Sequence, residues 1–315
     1  MSPGTVSRPP SPLAQARHWT RVWFWASRPF SLTASVVPVL VGSALAFAEG
    51  RANPLLLALM LVASVLVQAG TNLVDEYGDH ERPEGRQKLL APYKVIALGL
   101  LSPRAVRRGA LVSFGVATAV GLYLVAVTGW PLLAVCLASL AVAYLYAGGP
   151  KPLGSLGLGQ PLVFVFMGVL MVAAVYYVHT HTVTRDALLL SLPVACLVTA
   201  ILVANDLRDL EEDAAAGKVT PVTLWGRPFG RRAWTALVAG AYAAVVALVV
   251  WGAPGPWALL PLLALPTAVR AGRVLWRGET RPALGVGMRL AAALHWRFGL
   301  LLAAGVALGR VAPWP

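Results

Sequence analysis

The sequence predicts an all-α, polytopic membrane protein, and composition, hydropathy and charge distribution each support this fold class. The chain has 315 residues, of which 58% are hydrophobic and only 12% are charged. A soluble protein needs more polar side chains to cover its surface, whereas a lipid bilayer accepts an apolar one. We therefore interpret the bilayer as the solvent of most of this chain.

Nine apolar blocks provide the transmembrane helices of this prediction. Each approaches the roughly 20 residues that a helix needs to cross the hydrocarbon core. The blocks lie near residues 30–48, 54–74, 109–127, 131–147, 161–178, 187–205, 233–252, 255–271 and 293–311. Residues 1–17 are rich in Pro and Ser and carry no apolar run, so we expect a disordered N-terminal tail before a single transmembrane domain over residues 18–315.

The basic residues predict the orientation of these helices. Of the 26 Lys and Arg residues, 23 fall in the N-terminal tail and in every second loop. Basic loops stay in the cytoplasm, so the N-terminus is predicted to be cytoplasmic and the number of helices odd. This alternation also explains the net charge of +13. We therefore expect a lipid bilayer, and no nucleic acid, as the partner of the basic residues.

Acidic residues are concentrated in two short segments, which follow the second and the sixth apolar block. Both helices run inward in the predicted topology, so both segments emerge at the cytoplasmic face and can meet. Together they hold ten of the thirteen acidic residues: Asp75, Glu76, Asp79, Glu81 and Glu84 in the first, and Asp206, Asp209, Glu211, Glu212 and Asp213 in the second.

The spacing within each segment points to a divalent cation. Each contains two aspartates four residues apart, which lie on one face if the helix continues past the apolar block. Carboxylates packed in this way are costly to ionise unless a cation relieves their repulsion. Hard oxygen ligands of this kind suit Mg²⁺, which usually completes its shell with phosphate and water. The predicted metal-binding and catalytic residues are Asp75, Glu76, Asp79, Asp209 and Asp213.

Lysines and arginines accompany both acidic segments. Carboxylates that hold a metal, next to Lys or Arg that binds phosphate oxygen, are suited to a diphosphate. The alternative interpretation is two solvated loops whose acids balance nearby bases. The predicted substrate-binding residues of the two segments are Asn72, Lys88, Lys94, Asn205, Arg208 and Lys218.

At these residues the sequence resembles the UbiA superfamily of intramembrane prenyltransferases. The stretch N-D-L-R-D-L-E-E-D-A-A-A-G-K-V-T from Asn205 is close to that superfamily's N-N-x-R-D-x-x-x-D-x-x-x-G-K-x-T. The stretch T-N-L-V-D-E-Y-G-D from Thr71 is similar to T-N-x-x-N-D-Y-x-D. It departs from the pattern at Asp75 and Glu76, which stand where the superfamily has Asn-Asp.

Three further stretches resemble the 1,4-dihydroxy-2-naphthoate polyprenyltransferase (MenA type) branch of this superfamily. They are Y-L-Y-A-G-G-P-K-P-L-G-S-L-G-L-G from Tyr144, A-S-R-P-F-S-L-T from Ala26 and L-H-W-R-F-G from Leu294. The matches touch the first, second, fourth, sixth and ninth predicted helices. They imply contacts to diphosphate or acceptor from Tyr146, Lys151 and Arg28, for which interfacial anchoring and topology are equally good explanations.

The resemblance implies a UbiA-type helix bundle that transfers a polyprenyl group from its diphosphate to an aromatic acid with the help of Mg²⁺. In the naphthoate branch the acceptor loses its carboxylate as the prenyl group is installed, in menaquinone biosynthesis. This in turn implies a multi-pass protein of the cell membrane with an active site facing the cytoplasm.

Other functions are compatible with parts of this pattern. Within the superfamily, the alternatives are prenyl transfer to 4-hydroxybenzoate or haem, and an intramembrane terpene cyclase, which needs no acceptor. A secondary transporter is an alternative of a different class. Transport carboxylates are expected at the bilayer midplane, however, and these acids emerge at helix ends.

Overall fold

A computed structural model describes residues 12–81, 93–251 and 255–312. Within these ranges nine helices are long and apolar enough to cross a membrane, which confirms the predicted fold class and all nine spans. The spans are Pro29–Ala48, Pro54–Glu81, Pro103–Thr128, Trp130–Ala147, Gly159–Thr180, Arg185–Arg208, Pro221–Val250, Pro256–Arg277 and Arg281–Val311.

The regular elements subdivide these spans. A 3-10 turn, Pro29–Ser31, leads into the first of them. The α-helices are α1 (Pro12–Ala26), α2 (Thr33–Ala48), α3 (Pro54–Glu81), α4 (Pro103–Thr128), α5 (Trp130–Ala147), α6 (Gly159–Leu162), α7 (Met171–Thr180), α8 (Arg185–Arg208), α9 (Leu210–Ala215), α10 (Pro221–Val250), α11 (Leu265–Arg277) and α12 (Arg281–Val311). A π-helix, Val163–Leu170, joins α6 to α7, and a 3-10 helix, Pro256–Ala264, precedes α11.

The N-terminal segment differs from the prediction. Helix α1 begins at Pro12, so the expected disordered tail over residues 1–17 is wrong for residues 12–17, while residues 1–11 lie outside the described residues. Proline is favoured in the first turn of a helix, and none follows within α1 to interrupt it. Trp19 and Phe24 of this helix are 43% and 52% exposed.

Side-chain caps fix where four of the long helices begin. Hydroxyl oxygens of Ser102, Thr184, Thr220 and Thr280 accept hydrogen bonds from the backbone N–H groups of the first turns of α4, α8, α10 and α12. Such a cap satisfies a donor that has no partner inside the helix. These helices therefore start at defined residues.

The core of the bundle lies around α8 and α12. About two thirds (67%) of the apolar stretch of α8 is buried inside the protein, against 11% for α3 and α5. Gly299 of α12 permits close packing on α2, because a Cβ there would lie 2.2 Å from Cγ1 of Val37. The most buried part of the molecule thus supports a less buried wall formed by α3, α4 and α5.

Two helices continue past their apolar blocks, as the spacing of the acids predicted. Helix α3 runs on to Glu81, well beyond the predicted end of its block at residue 74. Helix α8 ends at Arg208, and α9 resumes two residues later. The described acids of both segments are therefore held on helices or at the short turn between two helices.

Candidate active site

One cavity of about 500 Å³ receives side chains from both acidic segments. Its polar end is lined by Asp75 and Asp79 of α3 and by Asn205, Asp209 and Asp213 of the α8–α9 region. The rest of its wall is mainly apolar and comes from α2 to α5, the π-helix, α7 and α8. The predicted convergence of the two segments is present in the structure.

The first acidic segment presents Asp75 and Asp79 to this cavity. Oδ2 of Asp75 lies 2.6 Å from Nη2 of Arg28, and the Arg28 guanidinium lies over the ring of Tyr93 at 4.9 Å. Asp79 forms an ion pair with Lys94, on the chain segment that returns towards α4. Each of the two carboxylates therefore faces a cation that also lines the cavity.

Glu76 is placed differently from its neighbours. Its side chain is buried and does not line the cavity. Oε1 accepts a hydrogen bond from the backbone N–H of Ile96 at 3.1 Å, and Oε2 lies 3.3 Å from Nζ of Lys94. The structure thus does not bring Glu76 to the cavity as the predicted metal ligand. The Glu76 carboxylate instead holds the chain segment that carries Lys94 and Ile96.

Asn72 lies one turn before Asp75 and joins α3 to the entry of the first span. Its Nδ2 donates to the backbone oxygen of Ser27 at 2.8 Å and to Oγ of Ser31 at 2.9 Å. Gln68 donates to Oδ1 of Asn72 at 3.3 Å. Asn72 lines the cavity, as expected of a substrate-binding residue. Because its amide binds Ser27 and Ser31, which flank Arg28 in the chain, it also positions Arg28.

The second acidic segment pairs its aspartates with separate cations. Arg208 forms an ion pair with Asp209 and also donates to Oδ1 of Asn205 at 2.8 Å. Asp213 lies 2.8 Å from Nζ of Lys218. All of these residues line the cavity, so each one that the sequence predicted in this segment is brought together.

These pairs shift the pKa values of their members. Burial alone would raise the pKa of Asp209, but the hydrogen bond and charge of Arg208, followed by the charge of Arg281, lower it overall. Burial opposes the charged form of Lys218, yet Asp213 and Asp206 outweigh that effect and raise its pKa. The two groups are thus kept charged across the physiological pH range.

The glycine-rich stretch after α5 lies against the second segment. Tyr146 lines the cavity, whereas Lys151 is exposed and does not. The backbone N–H of Gly157 donates to the oxygen of Val219 at 2.9 Å, and the N–H of Val219 donates to the oxygen of Ser155 at 3.1 Å. Of these two predicted contacts, the structure therefore brings only Tyr146, in the last turn of α5, to the cavity. Predicted Lys88 lies outside the described residues.

Sequence reasoning missed two charged residues of the site. Arg281, at the start of α12, lies 3.2 Å from Oδ1 of Asp209 and 2.9 Å from Oε1 of Glu212, and both Arg281 and Glu212 line the cavity. Arg281 is one of several arginines in its loop, so its position alone did not distinguish it. Glu212 did lie in the second acidic segment, but outside the four-residue spacing.

The donor set suits a metal that is shared with a phosphate ligand. Among the described residues, no group of three or more His, Cys, Asp or Glu side chains is placed to hold a metal by itself. Mg²⁺ does not need such a cage, because it usually takes one or two carboxylates and completes its shell with phosphate and water. The four aspartates and the cations beside them fit that pattern.

The apolar part of the cavity extends deep into the membrane. One stripe of α3 lines it from Asp79 back to Met60, which at 1.5 Å per residue spans about 28 Å, close to the thickness of the hydrocarbon core. The far end is formed by a buried cluster that includes Met60, Leu124 and Leu132. The cavity can therefore accommodate a long apolar chain whose charged end lies among the aspartates.

Comparison with known proteins identifies relatives across most of the chain. The model of the UbiA prenyltransferase family matches residues 35–293. The 1,4-dihydroxy-2-naphthoate octaprenyltransferase of Bacillus subtilis (strain 168) is 34% identical over 280 residues, which cover 89% of this chain and 90% of that relative.

Two solved structures share the architecture. A UbiA homolog from Aeropyrum pernix K1 has a TM-score of 0.65 at 17% identity, covering 88% of this chain and 97% of the other. A UbiA homolog from Archaeoglobus fulgidus bound to GPP and Mg²⁺ has a TM-score of 0.60 at 16% identity, covering 90% and 99%. At these identities the likeness is one of fold.

Proposed function

The chain belongs to the UbiA prenyltransferase family and is a prenyltransferase, and from this premise we propose that its acceptor is 1,4-dihydroxy-2-naphthoate. In the proposed reaction a polyprenyl group leaves its diphosphate and bonds to the aromatic ring, whose carboxylate is lost. The observation that carries the proposal is the single cavity in which two aspartate pairs meet a deep apolar wall. The name of the Bacillus subtilis relative supports the choice of acceptor.

The polar end of the cavity is the proposed site of the diphosphate. Asp75, Asp79, Asp209 and Asp213 would hold Mg²⁺, an assignment supported by the ion bound with GPP in the Archaeoglobus fulgidus homolog. Bound there, Mg²⁺ supplies positive charge that makes diphosphate a better leaving group. Glu76 has no ligand role in this proposal, because its carboxylate is engaged with Ile96 and Lys94.

The cations beside the aspartates provide the remaining stabilisation. Lys94, Arg208 and Lys218 line the cavity and now pair with aspartates. When those carboxylates turn to a metal, the same ammonium and guanidinium groups become available to diphosphate oxygens. Charge-assisted hydrogen bonds from these groups stabilise the negative charge that develops as the C–O bond breaks.

The apolar wall performs a second task. Departure of diphosphate leaves an allylic cation, which water would capture if it reached the site. The residues of α3, α4 and α5 that line the cavity exclude water and hold the prenyl chain. The electron-rich ring of the acceptor is then the available nucleophile, and the carboxylate leaves as carbon dioxide when the ring recovers its aromaticity.

The location of this chemistry is also part of the proposal. We place the active site at the cytoplasmic face of the cell membrane, on the basis of the 23 Lys and Arg residues that share one side in the predicted topology. Polyprenyl diphosphates can then enter from the bilayer and the aromatic acid from the cytoplasm. No nucleic acid takes part.

A direct assay tests the acceptor. Purified protein is supplied with a polyprenyl diphosphate, Mg²⁺ and, in separate reactions, 1,4-dihydroxy-2-naphthoate, 4-hydroxybenzoate or haem. We expect a prenylated, decarboxylated naphthoquinol in the first reaction alone. Prenylated 4-hydroxybenzoate or haem as the main product would reassign the acceptor, and release of diphosphate with a cyclised hydrocarbon in the absence of any acceptor would indicate a cyclase.

A further inference from the structure

A stripe of arginines on α11 lies outside the cavity described above. Arg270, Arg273 and Arg277 are exposed and follow one another at i, i+3 and i+7, which places them along one side of the helix. In the described parts of the chain none of these three guanidiniums has an ion-pair partner. The nearby acids are engaged elsewhere, since Glu279 pairs with Arg231 and Glu212 with Arg281.

The helix that carries this arginine stripe is held in place by α10. Nε of Arg231 donates to the backbone oxygen of Leu275 at 3.0 Å, and its Nη2 donates to the oxygen of Gly278 at 2.8 Å. Nε1 of Trp276 donates to Oγ1 of Thr235 at 3.0 Å. These bonds satisfy carbonyl groups at the end of α11, so the position of the stripe is set by the protein fold itself.

The depth of the stripe matches the headgroup region of a bilayer. It extends over the eight residues 270–277, or about 10 Å along the helix axis, at the end of a span that begins with the apolar 3-10 helix Pro256–Ala264. Long arginine side chains at such a level extend towards the lipid phosphates. Trp276, 46% exposed beside the stripe, is of the residue type that is enriched at this interface.

We propose that the arginine stripe binds the headgroup of an anionic phospholipid in the leaflet on the active-site side. Basic loops that only determine topology need no fixed arrangement, whereas this stripe is fixed by three hydrogen bonds to α10 and has no ion-pair partner among the described residues. Arg277 lies four residues before Arg281, which pairs with Asp209 of the active site. A bound headgroup therefore also steadies the turn that delivers Arg281.

Lipid titration of the purified full-length protein tests this site. Dioleoylphosphatidylglycerol and, separately, dioleoylphosphatidylcholine are added in detergent, and bound lipid is counted by native mass spectrometry. The test variant is R270Q/R273Q/R277Q, and its matched control is R104Q/R107Q/R108Q. The control removes three exposed arginines at the start of α4, which shares a side with the end of α11 in the predicted topology.

For the wild type and the control we expect one phosphatidylglycerol that is retained more tightly than phosphatidylcholine. In the test variant its affinity falls by about fivefold for each arginine removed. Single substitutions R270Q, R273Q and R277Q give the graded series and cover the case of a triple variant that fails to fold. Equal losses in test and control variants, no loss in either, or displacement of the lipid by inorganic phosphate at the same concentration would overturn the proposal.

Discussion

The two acidic segments of the active site contain similar residues but use them differently. In the first, Lys94 is shared between Asp79 and the buried Glu76, so one of the three carboxylates predicted there as metal ligands stabilises the fold instead. In the second, Asp209 and Asp213 each have a cation of their own, and both line the cavity. The number of acids in a segment is therefore not the number of ligands that it offers.

This difference has a structural origin. The described acids of the first segment, Asp75 to Glu81, lie on one continuous helix, α3, and a chain segment containing Lys94 and Ile96 folds back against it. The second segment crosses the turn between α8 and α9, where Asp209 itself leaves helical geometry. A helix flanked by a returning chain must present some side chains to that chain, whereas a turn can direct its acids to one side.

The largest expected effect is the loss of an aspartate that lines the cavity. Asp79→Ala and Asp209→Ala should each lower turnover by about 100- to 1000-fold, because positive charge on diphosphate would no longer be held in place. Product formation is measured by chromatography, and folding by thermal unfolding. Glu211→Ala is the control, since that carboxylate is 63% exposed and does not line the cavity. Retained activity in either aspartate variant would remove that segment from the site.

A pair of lysine variants distinguishes a cation that lines the cavity from one that lies outside it. Lys218→Met should reduce kcat/KM by about 100-fold, because its ammonium faces Asp213 in the cavity and is a proposed diphosphate ligand. Lys151→Met should change it by less than about twofold, because an exposed charge outside the cavity interacts weakly with the substrate. If steady-state assays gave equal losses of kcat/KM for the two variants, the distinction between Lys218 inside the cavity and Lys151 outside it would be contradicted.

Glu76 is expected to affect stability more than chemistry. Glu76→Ala should lower the free energy of unfolding by about 3 kcal/mol, because it leaves Lys94 with one partner fewer and the N–H of Ile96 without its acceptor. Glu76→Gln should cost less, since an amide oxygen can still accept from Ile96. Unfolding by titration with sodium dodecyl sulfate gives both values. A loss of turnover in Glu76→Gln at unchanged stability would indicate that Glu76 is a metal ligand after all.

The smallest effect concerns pH. Arg281 is among the charges that lower the pKa of Asp209, so Arg281→Gln should raise that pKa towards its ordinary value. The acidic limb of the kcat/KM profile should then move to higher pH. In the wild type, the stability contributed by this carboxylate is complete above its unfolded pKa of about 3.9 and is lost as pH falls through the lower folded value. An unchanged acidic limb would show that Asp209 does not determine it.

Much of the architecture was accessible from the sequence. Long apolar blocks predicted nine spans because each must satisfy its backbone within the membrane, and a helix is the simplest way to do so. The predicted meeting of the two segments was confirmed by the cavity that both of them line. Asp75 and Asp79 lie on one continuous helix, as their four-residue spacing predicted, and both line the cavity. Asp209 and Asp213 also line it, although Asp209 lies at the turn between α8 and α9.

The orientation of individual side chains was harder to predict from the sequence. Glu76 and Asp75 lie three and four residues before Asp79, and both spacings fit the same helix face. Which of them reaches the cavity depends on Ile96 and Lys94, about twenty residues further along the chain. Arg281 lies 72 residues from Asp209, and no local pattern indicates that contact.

The two backbone hydrogen bonds between Ser155, Gly157 and Val219 have a consequence for the evolution of this protein. Main-chain pairing does not depend on side-chain identity, so substitutions in either stretch are tolerated provided that the backbone keeps its path. An insertion or deletion is different, because it shifts one partner out of register. Homologues with a changed length in one stretch should carry a compensating change in the other, and chimaeras that exchange only one of them should misassemble.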